Sequence, residues 1–312
     1  MAIFPLGAII RNRREELGLT QEDLADGICS VPTLSRIENG ERIPTKNHLE
    51  MLLQRLGYSA MSLDYYTDNL QFRISELKFK VRQSYVARDY IAAKKYLDEC
   101  IQAINSAHGT KNPSSPIDTQ FIALYDVLLN KRSISLEQKL QAFETAIQLT
   151  CRKQFSERVF YALSYEEILI LNNIAICYAD RGDLEQAIAI LSSIKDHYMR
   201  NGVSQEESLR TQIMILYNLS KYLGQFGQYD ECIEVCDYGI RIAKESGRTS
   251  LLHKLLYNRG WAHLKRDSSG DRLNAKITLR RAYCSADLLG RTSDANHIKT
   301  FYESTFGEEL SI

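Results

Sequence analysis

Apolar residues recur every three to four positions along most of the chain, which is the period of an α-helix. In the N-terminal part, this pattern predicts helices over residues 6–17, 21–28 and 46–56, with a further short helix between the last two. Only five prolines occur in 312 residues, so little interrupts the helical pattern. We therefore predict an all-α protein.

Residues 19–44 contain two short helices separated by a tight turn. Thr20 is placed to cap the first helix, and Ser30 is placed to cap the second. Leu34 and Ile37 of the second helix face back toward the first. This arrangement predicts a helix-turn-helix, whose second helix fits the major groove of B-DNA.

The run L-T-Q-x-x-L-A, followed after the turn by L-S-R-I-E-N-G-x-R-x-P, resembles the phage-repressor-type (Xre-like) helix-turn-helix family over residues 6–58. Val31 and Pro32 replace polar residues that many relatives carry early in the reading helix. The resemblance implies that Thr33 and Arg36 contact base edges, with Ser35 and Asn39 nearer the DNA backbone. We expect five residues to hold phosphates: Gln21, Arg11, Arg14, Arg42 and Lys46.

Charge alone gives no support to DNA binding. The chain has 39 basic and 39 acidic residues, and its first sixty-six residues contain seven basic and nine acidic ones. The DNA-binding interpretation therefore depends on where the charges are placed. The alternative is that Arg11 and Arg14 lie on a solvated charged face beside Glu15 and Glu16.

From about residue 70 onward, the sequence contains an internal repeat. A small residue recurs at Ala175, Ser220 and Gly260, and seven positions later come Gly182, Gly227 and Asp267. Further small or apolar residues follow at Ala187, Cys232 and Ala275, and at Leu191, Cys236 and Leu279. Small residues at fixed spacing let the two helices of a pair approach closely.

This pattern resembles the tetratricopeptide (TPR) repeat. We predict helix pairs over 70–107, 119–150, 168–200, 213–245 and 253–289, with a final helix near 291–305. The fold class is then an N-terminal repressor-type helix-turn-helix domain, residues 1–66, and a TPR-like right-handed α-solenoid, residues 67–312.

Asparagine precedes each small residue by two positions, at Asn173, Asn218 and Asn258. An amide side chain can pair with a peptide N–H and C=O together, so these residues could hold an extended peptide. Aromatic residues at Tyr217, Tyr257 and Trp261 could form side-chain pockets, and Lys221, Lys254 and Arg259 could bind a carboxylate of the ligand. The alternative is that the asparagines satisfy helix ends or bond across repeats.

Nothing in the sequence indicates an enzyme. No phosphate-binding loop, H-E-x-x-H, G-x-S-x-G or Rossmann glycine motif occurs. Adjacent acids such as Glu166 and Glu167 point apart on a helix, so we expect them to be solvated. The seven cysteines include no C-x-x-C pair, and we predict neither a metal nor a cofactor.

The combined architecture resembles the Rgg–Rap–NprR–PlcR–PrgX group of peptide-sensing quorum regulators. That resemblance implies a cytoplasmic transcription regulator without membrane segments. It would bind a pseudo-palindromic operator as a homodimer and respond to a short signalling peptide in its TPR-like domain. Two alternatives stay open: a protein-interaction adaptor, and a ligand-independent dimeric repressor.

Overall fold

A computed structural model describes residues 6–57, 69–108, 115–130, 133–152, 162–201 and 206–310. The α-helices of these residues, numbered in chain order, are α1 Leu6–Glu16, α2 Gln21–Ala25, α3 Val31–Glu38, α4 Lys46–Arg55, α5 Asn69–Val86, α6 Tyr90–His108, α7 Pro116–Asn130, α8 Leu136–Gln148, α9 Tyr165–Asp180, α10 Leu184–Asn201, α11 Glu206–Phe226, α12 Tyr229–Glu245, α13 Leu252–Arg266, α14 Asp271–Leu288 and α15 Thr292–Phe306. The described residues form no strands, which confirms the all-α prediction.

The chain divides into two compact units. One comprises Met1–Cys177 with Met199–Gly202, and the other comprises Tyr178–Tyr198 with Val203–Ile312. The first unit contains the helix-turn-helix together with helices α5 to α8. The predicted boundary between residues 66 and 67 lies outside the described residues.

The helix-turn-helix begins at the predicted caps. The Thr20 side chain accepts a hydrogen bond from the Asp23 backbone N–H, and the Asp23 carboxylate accepts one from the Thr20 backbone N–H, forming a capping box. Ser30 caps α3 by accepting from the Thr33 N–H. Gly27 adopts φ +67° in the turn, a left-handed conformation that glycine tolerates best.

The repeat skeleton is confirmed by burial. The residues at three of its four recurring positions are all buried in the described helices: Ala175, Ser220, Gly260, Ala187, Cys232, Ala275, Leu191, Cys236 and Leu279. At Gly260, a Cβ atom would lie 2.8 Å from Cγ of Leu279, so the small residue lets α13 and α14 approach. Asp267 adopts φ +51° at the position that glycine occupies in the other two copies.

Helix α4 is attached to the first repeats by polar contacts within the first unit. These contacts join Asn47 Nδ2 to both Asp118 carboxylate oxygens at 3.1 Å, Ser75 Oγ to Glu50 Oε1 at 3.2 Å, and the Tyr165 backbone N–H to Gln54 Oε1 at 3.1 Å. Asn47, Glu50 and Gln54 share one face of α4, since they are three and four residues apart. We call this set, completed by Arg55, the α4 interface.

Arg55 forms the buried centre of the α4 interface. Its guanidinium lies 2.6 Å from Glu167 Oε1 and donates to the backbone oxygen of Thr150 at 2.7 Å. It also donates to the Leu24 and Asp26 carbonyls, so one buried cation joins the helix-turn-helix to α9. A Cβ atom at Gly27 would lie 2.1 Å from the Thr150 Cα, which shows how closely the backbones approach.

The expectation that Glu166 and Glu167 are solvated is wrong. Glu166 is 5% exposed and Glu167 is fully buried. They do point apart, but each meets an arginine: Glu166 pairs with Arg82 at 2.6 Å and Glu167 pairs with Arg55. Burying these carboxylates is tolerated because each one is paired.

Candidate DNA-binding surface and repeat-domain pocket

Helix α3 carries the residues predicted to read bases. Arg36 is exposed, and its side chain forms no hydrogen bond or ion pair within the described residues. Thr33 is half-buried and its hydroxyl lies 2.9 Å from Ser30 Oγ, while Ser35 is half-buried and Asn39 is exposed. Arg36 is therefore the member of this set best placed to donate to a guanine.

Three of the predicted DNA ligands converge on Glu38, which the sequence did not single out. Glu38 accepts from Arg14 Nε at 2.6 Å and from Gln21 Nε2 at 2.8 Å, and it lies 3.6 Å from Arg11. Arg11 also donates to Asn39 Oδ1. The buried carboxylate fixes the positions of side chains on α1, α2 and α3.

Burial alone would raise the pKa of Glu38. Hydrogen bonds from Arg14 and Gln21, together with the positive charges of Arg14 and Arg11, outweigh that effect and hold the pKa below its usual value. Glu38 is thus an anion at neutral pH. It attracts the arginines that surround it.

Two of the predicted phosphate ligands, Arg14 and Lys46, lie beside carboxylates within the protein. Arg14 is 8% exposed; it makes a two-pronged contact with Glu38 and also donates to the Leu19 carbonyl. The Lys46 side chain is 11% exposed and lies 3.7 Å from Glu50. Arg14 joins α1 to α3 through Glu38, whereas Lys46 and Glu50 lie one turn apart on the same helix. Arg42 is exposed, Arg11 is partly so, and both stay available to phosphate.

A pocket of about 390 Å³ lies within the second unit. Helices α11 and α13, which are the first helices of the last two pairs, provide most of its walls. Helix α15 closes one side through Asp294, His297 and Ile298. Six of the eight residues predicted to bind peptide line it: Tyr217, Lys221, Lys254, Tyr257, Asn258 and Trp261.

The three asparagines do not share one environment. Asn258 lines the pocket and donates to Ser220 Oγ at 2.9 Å, which is a bond across repeats. Asn218 is buried and is not part of the described pocket lining. Asn173 belongs to the first unit, and its amide donates to the Leu169 carbonyl one turn earlier. Asn258 is therefore the one of the three that the described structure brings to the pocket.

Aromatic rings and charges line the pocket together. Lys254 Nζ lies 5.6 Å from the Tyr217 ring centroid, a cation–π distance. Gly224 makes room for the indole ring, since a Cβ atom there would lie 3.0 Å from Trp261 Cζ3. Sequence reasoning missed two residues of the lining, Asp294 and His253. Asp294 lies on the final helix, which is not part of a repeat, so comparing the repeats does not single it out.

Among the described helices, none is both long enough and apolar enough to cross a membrane. The described residues also contain no group of histidine, cysteine or acidic side chains that could hold a metal ion.

The chain resembles solved structures over nearly its whole length. PlcR of Bacillus thuringiensis, solved in complex with the peptide PapR7 and DNA, is 20% identical with a TM-score of 0.53; the match covers 94% of this chain and 98% of PlcR. The apo form of the competence regulator ComR of Streptococcus vestibularis is 18% identical with a TM-score of 0.52, covering 96% and 97%. These likenesses establish the fold.

Comparison with curated protein sequences found no match. Family models match both parts of the chain. A helix-turn-helix model matches residues 10–62, and the model of the RNPP family C-terminal domain matches residues 136–298, which is just over half of the chain. With this C-terminal domain behind a helix-turn-helix, the chain belongs to the RNPP family.

Proposed function

We propose that this protein is a sequence-specific, DNA-binding transcription regulator that senses a short signalling peptide. The helix-turn-helix binds operator DNA, and the pocket in the second unit binds the peptide. The single observation that carries the proposal is the pocket itself, where aromatic rings, two lysines and the Asn258 amide converge in a member of the RNPP family. The related PlcR was solved with both a peptide and DNA.

The regulator acts as a homodimer on a pseudo-palindromic operator in the cytoplasm and catalyses no reaction. One helix-turn-helix contacts a single half-site, so a two-fold dimer doubles the contacts with DNA. Peptide binding changes DNA affinity only if the peptide prefers one conformation of the repeats over another.

The first experiment uses the purified protein with synthetic peptides from small open reading frames beside its gene. A peptide that binds the folded state raises the melting temperature with increasing occupancy. A gel shift on operator DNA then gives the sign of the response. Melting and DNA affinity that both stay constant would favour the ligand-independent repressor, and binding of a full-length partner alone would favour the adaptor.

Asn258 offers a sharper test of the pocket with a matched control. Asn258→Ala should weaken peptide binding at least fivefold, because a neutral hydrogen bond contributes about 1 kcal/mol. Ser220→Ala removes the same internal hydrogen bond but keeps the amide. Equal loss in both variants, measured by titration calorimetry, would make Asn258 a structural residue.

A further inference from the structure

The pocket carries two cations and one anion. Lys221 and Lys254 line it on α11 and α13, and Asp294 lines it on α15. Lys221 forms no ion pair with a carboxylate among the described residues. The lining lysines therefore exceed the lining carboxylates by one.

One carboxylate oxygen of Asp294 lies close to both His253 and Lys254. His253 Nε2 lies 2.9 Å from Asp294 Oδ2, and Lys254 Nζ lies 3.8 Å from that atom. Burial lowers the pKa of His253 in spite of the nearby carboxylate, so its ring is neutral at pH 7 and Nε2–H donates. The lysine contact is longer than a hydrogen bond, so the Lys254 ammonium keeps its donors for another acceptor.

We propose that the pocket recognises a carboxylate of the peptide through Lys221 and Lys254, and that Asp294 competes with the peptide for Lys254. This inference rests on the proposed function and adds the chemistry of the ligand. The carboxylate belongs to an acidic side chain or to the peptide C-terminus. Tyr217, Tyr257 and Trp261 surround the same space, so an apolar or aromatic side chain lies next to it.

Replacing Asp294 tests the direction in which the affinity for a carboxylate changes. Asp294→Asn keeps an oxygen that accepts from His253 but removes the competing negative charge. Affinity for a carboxylate should therefore rise, by about fivefold for a partly exposed pair. If Asp294 instead binds a positively charged group of the peptide, the same substitution weakens binding.

The test measures the binding of three short peptide probes to the full-length protein by ligand-observed NMR. N-acetyl-Phe-Gly with a free C-terminus carries a terminal carboxylate, N-acetyl-Phe-Glu amide carries a side-chain carboxylate, and N-acetyl-Phe-Gln amide carries neither. We expect at least one of the charged probes to bind more tightly than the uncharged one. Which of the two binds identifies the source of the carboxylate.

The variants complete the design. The double substitution Lys221→Gln, Lys254→Gln should abolish the preference for charged probes, and Asp294→Asn should strengthen it. Asp287→Asn is the control, because it changes the net charge equally at an exposed position on α14 outside the pocket. Melting temperatures show that each variant folds.

Equal affinity for the three probes, including no detectable binding of any at millimolar concentration, would overturn the inference. Weaker binding of the charged probes to Asp294→Asn would overturn it too. If a signalling peptide binds equally well after its carboxylates are neutralised, the proposal of peptide sensing stands and only the proposal of carboxylate recognition is refuted.

Discussion

Glu38 joins three helices of the DNA-binding domain through a single carboxylate. Glu38→Gln leaves the buried Arg14 guanidinium without its counter-charge, so we expect it to lower the free energy of unfolding by about 3 kcal/mol. Urea denaturation of the full chain measures this change. Glu41→Gln, an exposed acid near the end of α3, is the control and should change stability little.

The same residue predicts how stability changes with pH. The folded-state pKa of Glu38 lies below the unfolded value, so the unfolded chain binds this proton more tightly. The stabilisation is fully present above the unfolded pKa of about 4.5 and is lost as the pH falls through the folded pKa. Glu38→Gln should therefore flatten the acid limb of the melting-temperature profile; an unchanged acid limb would contradict it.

Replacing Arg36 tests whether α3 contacts the bases of the operator. Arg36→Ala should weaken operator binding by about 1–3 kcal/mol and relax the choice of sequence, if the guanidinium contacts a guanine. Gel shifts on operator and random DNA measure both effects. Arg73→Ala, an exposed arginine on α5, is the matched control. Equal losses on both DNAs would assign Arg36 to phosphate instead.

At the scale of elements, helix α4 connects DNA binding to the repeats. Arg55→Met leaves the buried Glu167 carboxylate without its counter-charge and should lower the free energy of unfolding by about 3–5 kcal/mol. Adding Glu167→Met removes the stranded charge, so the double variant should be more stable than the Arg55 single variant. Chemical denaturation of the two single variants and the double variant completes the cycle. Strict additivity would show that the two residues do not interact.

The helices themselves could be predicted from the sequence, whereas the α4 interface could not. Helical periodicity and caps such as Thr20 and Ser30 are local signals, and the observed helices follow them closely. Arg55 and Glu167 are 112 positions apart, and neither has a neighbour that indicates its partner. Periodicity also cannot distinguish a paired, buried carboxylate from a solvated one, which explains the wrong expectation for Glu166 and Glu167.

Internal repetition identified most of the pocket. Tyr217 and Tyr257 hold equivalent positions in two repeats, so the lining residues near them could be found by comparing copies. Asp294 and His297 lie on α15, which has no counterpart in the earlier repeats. The burial of Arg14 could not be predicted either, because it depends on the Glu38 carboxylate, which the fold brings close from 24 positions along the chain.

For the whole molecule, the α4 interface predicts strict geometry on DNA. A helix-turn-helix anchored to its repeats by a buried ion pair cannot rotate freely, so the proposed dimer should demand one half-site spacing. Inserting half a helical turn, about 5 base pairs, between half-sites should reduce affinity more than inserting a full turn of about 10. Gel shifts with spacer series measure this, and tolerance of every spacing would indicate a freely tethered domain.

The α4 interface also bears on how such a regulator can acquire new targets. Its side chains at Asn47, Glu50, Gln54 and Arg55 all lie outside α3, the helix that reads DNA. Exposed residues of Val31–Glu38 can therefore change without disturbing the connection to the repeats. A transplanted helix-turn-helix, by contrast, would have to carry those four side chains with it. Substitutions in α3 can therefore change operator preference while the contacts between α4 and the repeats stay the same.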